Sequence, residues 1–375
     1  MNKLYSCLVI VLMSGFVNLQ SQTPTYNISP DLKFNIYLDS YYLSSFGKLD
    51  DSLNIASFAG NSKFTDEFRL NTASLMMKYI TPNIRASLDL EFGDNSHLMA
   101  TIDNEFVKYL GYAKVGYRIV DDLWIDIGYI SDPIGCESSK PGFNMISSVT
   151  FGGYFQPENF LGLIMDYTLS EQFDMKLFLG NPYTVRFGKN KNINGGMQLS
   201  YSPVKDLKIT YSNIFGDKAE LYSNHHEWRL YNNLIGTYQI TDDLYFIGQF
   251  DFSQQKGVFG DDERQEYMTS GFAGAKYQIV KNFSAAARYE FFRDEYGMAT
   301  GYLIDGRLWS TAERKWDGYG MNMSGFSVSL EYNPYGAAYI RGEYRYNQAS
   351  DGQLVFNRNT ESKRQYLLFT TGIMF

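Results

Sequence analysis

Cysteine is almost missing from this chain: 375 residues carry two, Cys7 and Cys136. Cys7 falls inside an N-terminal targeting segment, so Cys136 is the only cysteine of the mature part. An exported fold built from it uses no internal disulfide. Histidine is as scarce, with only His97, His225 and His226, all in predicted outer loops. A Ser–His nucleophile pair needs a base oriented by a third group. No serine motif stands near any of the three, and His225-His226 beside Glu227 reads as a solvated loop. The chain is therefore not expected to be an enzyme. No metal-ligand spacing and no phosphate-cradling glycine loop occurs, so no cofactor is expected. Basic charge is not in excess either; the formal net charge of -8 argues against nucleic acid as a partner. Beyond the N-terminus there is no apolar run of about 18 residues or more, which excludes membrane-spanning helices.

What the chain does have is tyrosine, 31 of them, placed with a period. The segment Tyr201-Ser202-Pro203-Val204-Lys205-Asp206-Leu207 ends one alternating stretch on an aromatic, turns on polar residues and opens the next stretch on an apolar one. The unit recurs as Tyr117…Leu123, Tyr167…Phe173, Tyr238…Leu244, Tyr277…Phe283 and Tyr332…Ala338, with a shorter version from Tyr79 to Ile84. Intervals of roughly 34 to 55 residues are a supersecondary period. Each copy joins two period-2 stretches and so predicts a β-hairpin. Seven tight turns on one side leave longer connections on the other. That is the pattern of an all-β, antiparallel up-and-down transmembrane barrel with short periplasmic turns and long extracellular loops. Seven hairpins between two lone terminal strands give about 16 strands, with 14 or 18 also compatible with the boundaries.

Targeting agrees with this. Lys3 precedes an apolar core from Leu8 to Met13, and the small Ser21 closes a polar end, which predicts a secretory signal over residues 1–21. Residues 22–33 then form a short periplasmic lead, and residues 34–375 a single barrel domain. The strand after Pro82 displays the logic of the wall. Ile84, Ala86, Leu88, Leu90 and Phe92 share one face, while Arg85, Ser87, Asp89 and Glu91 share the other. The apolar face is expected to meet outer-membrane lipid and the charged face to line water. Tyr79, Tyr117, Tyr167, Tyr201, Tyr238, Tyr277 and Tyr332 form a predicted aromatic girdle at the turn end, with rings in lipid and hydroxyls among headgroups. Phe92, Tyr129, Phe252, Phe291 and Tyr346 form its counterpart at the loop end. In the last strand Phe369, Ile373 and Phe375 face outward, a terminus that resembles the signal read by the barrel assembly machinery.

The expected pore-lining set is Arg85, Asp89, Glu91, Lys114, Arg118, Asp126, Lys176, Lys208, Arg288, Glu290, Glu331, Arg341, Glu343 and Arg345. On the lipid face such charges would cost about 2–4 kcal/mol each near the midplane, so alternation turns them inward. Rings of one sign set ion selectivity; this near-balanced set predicts a weak one. Arg288, Glu290, Glu331, Arg341, Glu343 and Arg345, on three consecutive strands, read either as a transverse field in the pore or as a structural ion-pair ladder. Two connections exceed the others. One spans residues 131–159 and either folds inward, with Glu137 and Lys140 as constriction charges, or lies outside as a lid. The other spans residues 295–324 and carries Arg307, Trp309, Arg314, Lys315 and Trp316.

The segments Asp122-Leu123-Trp124-Ile125-Asp126-Ile127-Gly128, Ile134-Gly135-Cys136-Glu137, Phe283-Ser284-Ala285-Ala286-Ala287-Arg288-Tyr289-Glu290-Phe291 and Gly325-Phe326-Ser327-Val328-Ser329-Leu330-Glu331-Tyr332 resemble the second family of β-barrel porins. These are OmpL-like proteins of the Bacteroidetes outer membrane. Cys136 stands where that family often has an aromatic. The resemblance extends from about residue 34 to residue 375 and implies a porin in the outer membrane; it carries no set of binding residues. A barrel of about 16 strands leaves an aqueous channel. The expected function is passive diffusion of small hydrophilic solutes or ions. The alternative is an adhesin or receptor that acts through its long extracellular loops.

Overall fold

The computed structural model describes residues 31–46, 62–99, 107–131, 134–157, 159–181, 192–217, 226–258, 261, 263–300, 303–304, 307–308, 320–350, 353–356 and 361–375. The predicted signal segment 1–21 lies outside the described residues, as do His225 and residues 309–319 of the second long connection.

The strands run in chain order as β1 (Leu32–Phe46), β2 (Phe68–Ile80), β3 (Ile84–Phe92), β4 (Leu110–Val120), β5 (Leu123–Ser131) and β6 (Asn159–Thr168). They continue as β7 (Phe173–Gly180), β8 (Asn194–Val204), β9 (Leu207–Asp217), β10 (Trp228–Thr241), β11 (Leu244–Lys256), β12 (Gln265–Val280) and β13 (Phe283–Asp294). A two-residue ladder, β14 (Leu303–Ile304) with β15 (Arg307–Leu308), sits within the next connection. Finally come β16 (Met321–Tyr332), β17 (Ala338–Ala349) and β18 (Lys363–Met374). Apart from that ladder, every strand pairs antiparallel with its neighbours, and β1 pairs with β18, so 16 strands close a barrel. At the seam the Ile36 N–H donates to the Phe375 carbonyl at 2.7 Å, and the Phe375 N–H returns a bond to Ile36 at 3.0 Å. Closure leaves no unpaired strand edge, which is the condition for sheet in a bilayer.

Period-2 alternation decides which side chains meet lipid. On β13, Tyr289 is 58% exposed while its neighbours Arg288 and Glu290 are buried on the inside. The girdle tyrosines Tyr117, Tyr201, Tyr238, Tyr277 and Tyr332 are exposed on the outer face, and Tyr79 and Tyr167 are half-exposed there. At the loop end Phe92 is exposed as expected, but Tyr129 is buried and so leaves the girdle. Tyr129 and Ile130 are both covered, while the ladders run in unbroken register past Gly128.

The turns are tighter than the tyrosine unit implies. Several strands run three residues past the tyrosine, and the turn itself is a pair such as Asp121-Asp122 or Asp242-Asp243. A β-bulge absorbs the difference. Gln239 faces Tyr245 and Thr241 faces Leu244, with Ile240 left over between them. The same shift isolates Ile119 and Ile279. An extra residue raises local twist and lets one more apolar side chain face lipid beside the tyrosine. All three isoleucines are exposed.

Candidate constriction and channel wall

Between β5 and β6 the chain does not stay outside. Residues 134–157 turn into the barrel and lie against the inner faces of β1, β3, β10–β13, β17 and β18. Two short helical pieces shape the segment, Pro141–Phe143 and Phe151–Phe155. Thr150 caps the second, its hydroxyl accepting from the Gly153 N–H at 3.1 Å. Glycine permits the close approach. A Cβ at position 152 would come within 2.4 Å of the Ser270 hydroxyl on β12.

The loop is fastened by charge-assisted bonds on two sides. On one side three arginines of the wall donate to loop carbonyls. Arg341 reaches the Pro141 and Asn144 carbonyls at 3.0 Å each, Arg345 the Val149 carbonyl at 2.7 Å, and Arg288 the Ser148 carbonyl at 2.7 Å. Wall carboxylates receive the loop's own donors. Glu343 accepts from the Ser148 N–H at 2.9 Å and from its hydroxyl, and Glu290 accepts from the Phe151 N–H at 2.6 Å. Arg341 also donates to Glu331 at 2.8 Å, and Arg345 to Glu290 at 2.6 Å. Arg288, Glu290, Glu331, Arg341, Glu343 and Arg345 are thus buried at the wall–loop contact; Arg288, Glu290, Arg341 and Arg345 bond both wall and loop, Glu331 the wall and Glu343 the loop. On the opposite side Lys140 leaves the loop to meet Asp89 at 2.7 Å and Glu91 on β3.

Glu137 and Lys140, expected as constriction charges, do lie on the inward loop, and both are tied. Glu137 accepts from Arg288 at 2.8 Å and from the Thr150 N–H at 2.9 Å. Burial pushes its carboxyl above the ordinary range, against the pull of Arg288 and Thr150. For Lys140 burial acts downward, but the carboxylates of Glu91 and Asp89 outweigh it and hold the ammonium above the usual lysine value. Two cavities flank the segment. One, of about 310 Å³, is lined by the loop ends of β3 and β4, including Asn95 and Tyr112. The other, of about 340 Å³, reaches Tyr245 and Lys276 near the turn end. Glu137 and Phe143 line both.

Other members of the expected lining stand away from the loop. Arg85 and Lys114 each meet Asp126 at 2.6 Å, and Arg85 also reaches Asp166 at 3.2 Å. Arg118 lies over the Trp124 ring at 5.2 Å. Lys176 and Lys208 sit on the inner faces of β7 and β9, half-exposed and exposed. Several loop partners were not singled out by formal charge. Tyr37 accepts from the Gly142 N–H at 2.9 Å and stacks on Phe143, while Asn233 and Gln249 accept from the Gly135 and Cys136 N–H groups. Their signal was present as polar residues at inward positions of β10 and β11.

A family model described as putative beta-barrel porin-2, OmpL-like, matches residues 31–375. No curated protein matches the chain. Among solved structures the chain is similar to the anion-selective porin from Comamonas acidovorans, with a TM-score of 0.61 at 9% identity over 92% of this chain and 99% of that one. It is similar to Salmonella typhi OmpF in complex with daunomycin, with a TM-score of 0.59 at 12% identity over 92% and 97%. It is also similar to a loop L8 deletion mutant of OmpT, an outer membrane protein of Vibrio cholerae, with a TM-score of 0.57 at 13% identity over 92% and 99%. At these identities the likeness concerns the fold.

Proposed function

The chain belongs to the putative beta-barrel porin-2, OmpL-like family, and from that premise we propose that it passes small hydrophilic solutes by diffusion through a lumen narrowed by residues 134–157. It is an integral outer-membrane porin; the inward loop and the polar groups it presents set its size limit. What supports this reading is the inward loop, held from both sides, with cavities above and below that share Glu137 and Phe143. A solute that crosses would exchange part of its hydration for the polar groups of this narrow zone. Because the loop is fastened by bonds to both walls, its position is fixed and the cut-off should be sharp.

The test is conductance of the purified full-length protein in planar bilayers, with swelling of sugar-loaded liposomes as a measure of size. Steady single-channel steps and a cut-off among small sugars are expected. Gly152→Val, which pushes the loop off Ser270, should raise both conductance and cut-off. An inserted barrel that passes neither ions nor sugars would overturn the proposal.

A further inference from the structure

The two signs of charge, nearly equal in number, are not mixed along the axis of the barrel. In the tier next to the turns, Arg85 and Lys114 occupy Asp126, and Lys276 and Arg341 occupy Glu331 at 2.7 and 2.8 Å. Four ammonium groups of that tier have no carboxylate within salt-bridge distance among the described residues: Lys33, Lys78, Lys176 and Lys208. Each shares a face with buried inner residues of its own strand. Lys33 follows the register of Tyr37 and Asp39, Lys78 that of Ser74 and Met76, Lys176 that of Phe178, and Lys208 that of Thr210 and Ser212. Lys33 and Lys78 stand directly opposite each other in the β1–β2 ladder. Like charges so placed destabilise a sheet unless something between them is negative. Among the described residues of the tier, Asp174, which accepts from the Thr168 hydroxyl at 3.1 Å, is likewise not held by a cation.

Nearer the loops several inward carboxylates meet neutral donors, beside the buried Arg229, which donates to Gln255 and the Met298 carbonyl. Asp251 is served by Asn233, Gln249 and Ser270, Asp39 by Asn71, and Asp294 by Thr300 and neighbouring backbone N–H groups; all of these donors are neutral. At the constriction between the tiers, the charges of Glu137 and Lys140 are consumed in pairs. Selectivity then falls to the turn-side lysines, which reach water with no carboxylate within salt-bridge distance among the described residues. Resting on the channel reading above, we infer that the turn-side vestibule is an anion-concentrating chamber and that small anions, inorganic or carboxylate, are the preferred solutes. Low-dielectric walls focus the field of the lysines onto the path that every solute must take. The turns carry carboxylates of their own, such as Asp121, Asp242 and Asp243. These stand exposed beyond the strand ends, where salt screens them within about 8 Å at physiological strength.

The experiment is the reversal potential of the full-length protein under a KCl gradient, together with the variant Lys33→Gln/Lys78→Gln/Lys176→Gln/Lys208→Gln. The wild type should prefer chloride by about twofold or more near 0.1 M, and the preference should fade near 1 M as the Debye length falls from about 10 Å to about 3 Å. The variant should lose the preference while keeping its conductance, and Asp242→Asn/Asp243→Asn should leave the ratio in place. Should the quadruple variant not insert, inorganic pyrophosphate on the wild type decides. It should depress the current more from one side of the bilayer than from the other. Cation preference in the wild type, an unmoved ratio in the variant, or indifference to pyrophosphate overturns the inference while leaving the channel intact. Absence of any current overturns the channel reading and this inference with it.

Discussion

Arg345 is fully buried on the inner face of β17, between Glu290 of the wall and the Val149 carbonyl of the loop. Removing one partner of a buried ion pair costs roughly 3–5 kcal/mol when the other stays buried. Here the loop can swing away and let water reach Glu290, so the cost should appear as motion. Arg345→Met is expected to insert normally, to lower the temperature at which the barrel unfolds on gels, and to give larger and noisier conductance steps. Steps identical to wild type would mean that Arg345 does not hold the loop. Lys140→Gln should act differently, since it bares Asp89 and Glu91 at the constriction and should move permeability toward cations. The pH dependence follows from the sign of the shift at Lys140. A raised ammonium keeps its full contribution below the ordinary lysine value near 10.4 and loses it only as pH climbs through the higher native value. Conductance titrated from pH 7 to pH 9 should therefore show no step from this residue. Sequence alternation was enough to turn Arg288, Arg341 and Arg345 inward. It could not tell a free charge from a consumed one, because the acceptors are backbone carbonyls of Pro141, Asn144, Ser148 and Val149, in a segment with no period.

At the level of elements, the hairpins were legible because lipid on one side and polar groups on the other force a two-residue period. The bulges at Ile119, Ile240 and Ile279 were not, since one surplus apolar residue next to a turn looks like a continuing strand. The closing strand offers the clearest element-scale test. Phe369, Ile373 and Phe375 are exposed on the outer face, and the Phe375 backbone pairs with Ile36. Replacing all three by serine should leave export intact and abolish insertion, read as full-length protein in the periplasm and none in the outer-membrane fraction. Wild-type membrane levels would show that the terminal alternation is dispensable. The inward connection is the second test. Its placement rested on length and position alone, and what fixes it is a set of charged wall groups on loop backbone atoms, which no spacing announces. Shortening it between Ser138 and Thr150 should spare the barrel, because the wall ladders run independently of it, and should widen the pore.

For the whole molecule, the ring should migrate on gels as a heat-modifiable, strand-rich species, and helical circular dichroism would contradict it. The grip on residues 134–157 has a consequence in time. Its strongest handholds, Arg288, Glu290, Arg341, Glu343 and Arg345, lie some 140 to 200 positions downstream in the chain. Contacts of such separation are made late, since chain closure must precede them. Part of the grip, Tyr37 on β1 and Asp89 and Glu91 on β3, precedes the loop in the chain, and the rest lies on strands that finish the ring. Gate and wall are thus completed in one act. A barrel stalled before β13 would be open at its edge and would hold its loop without the wall arginines, so the last strands close the ring and tighten the passage together.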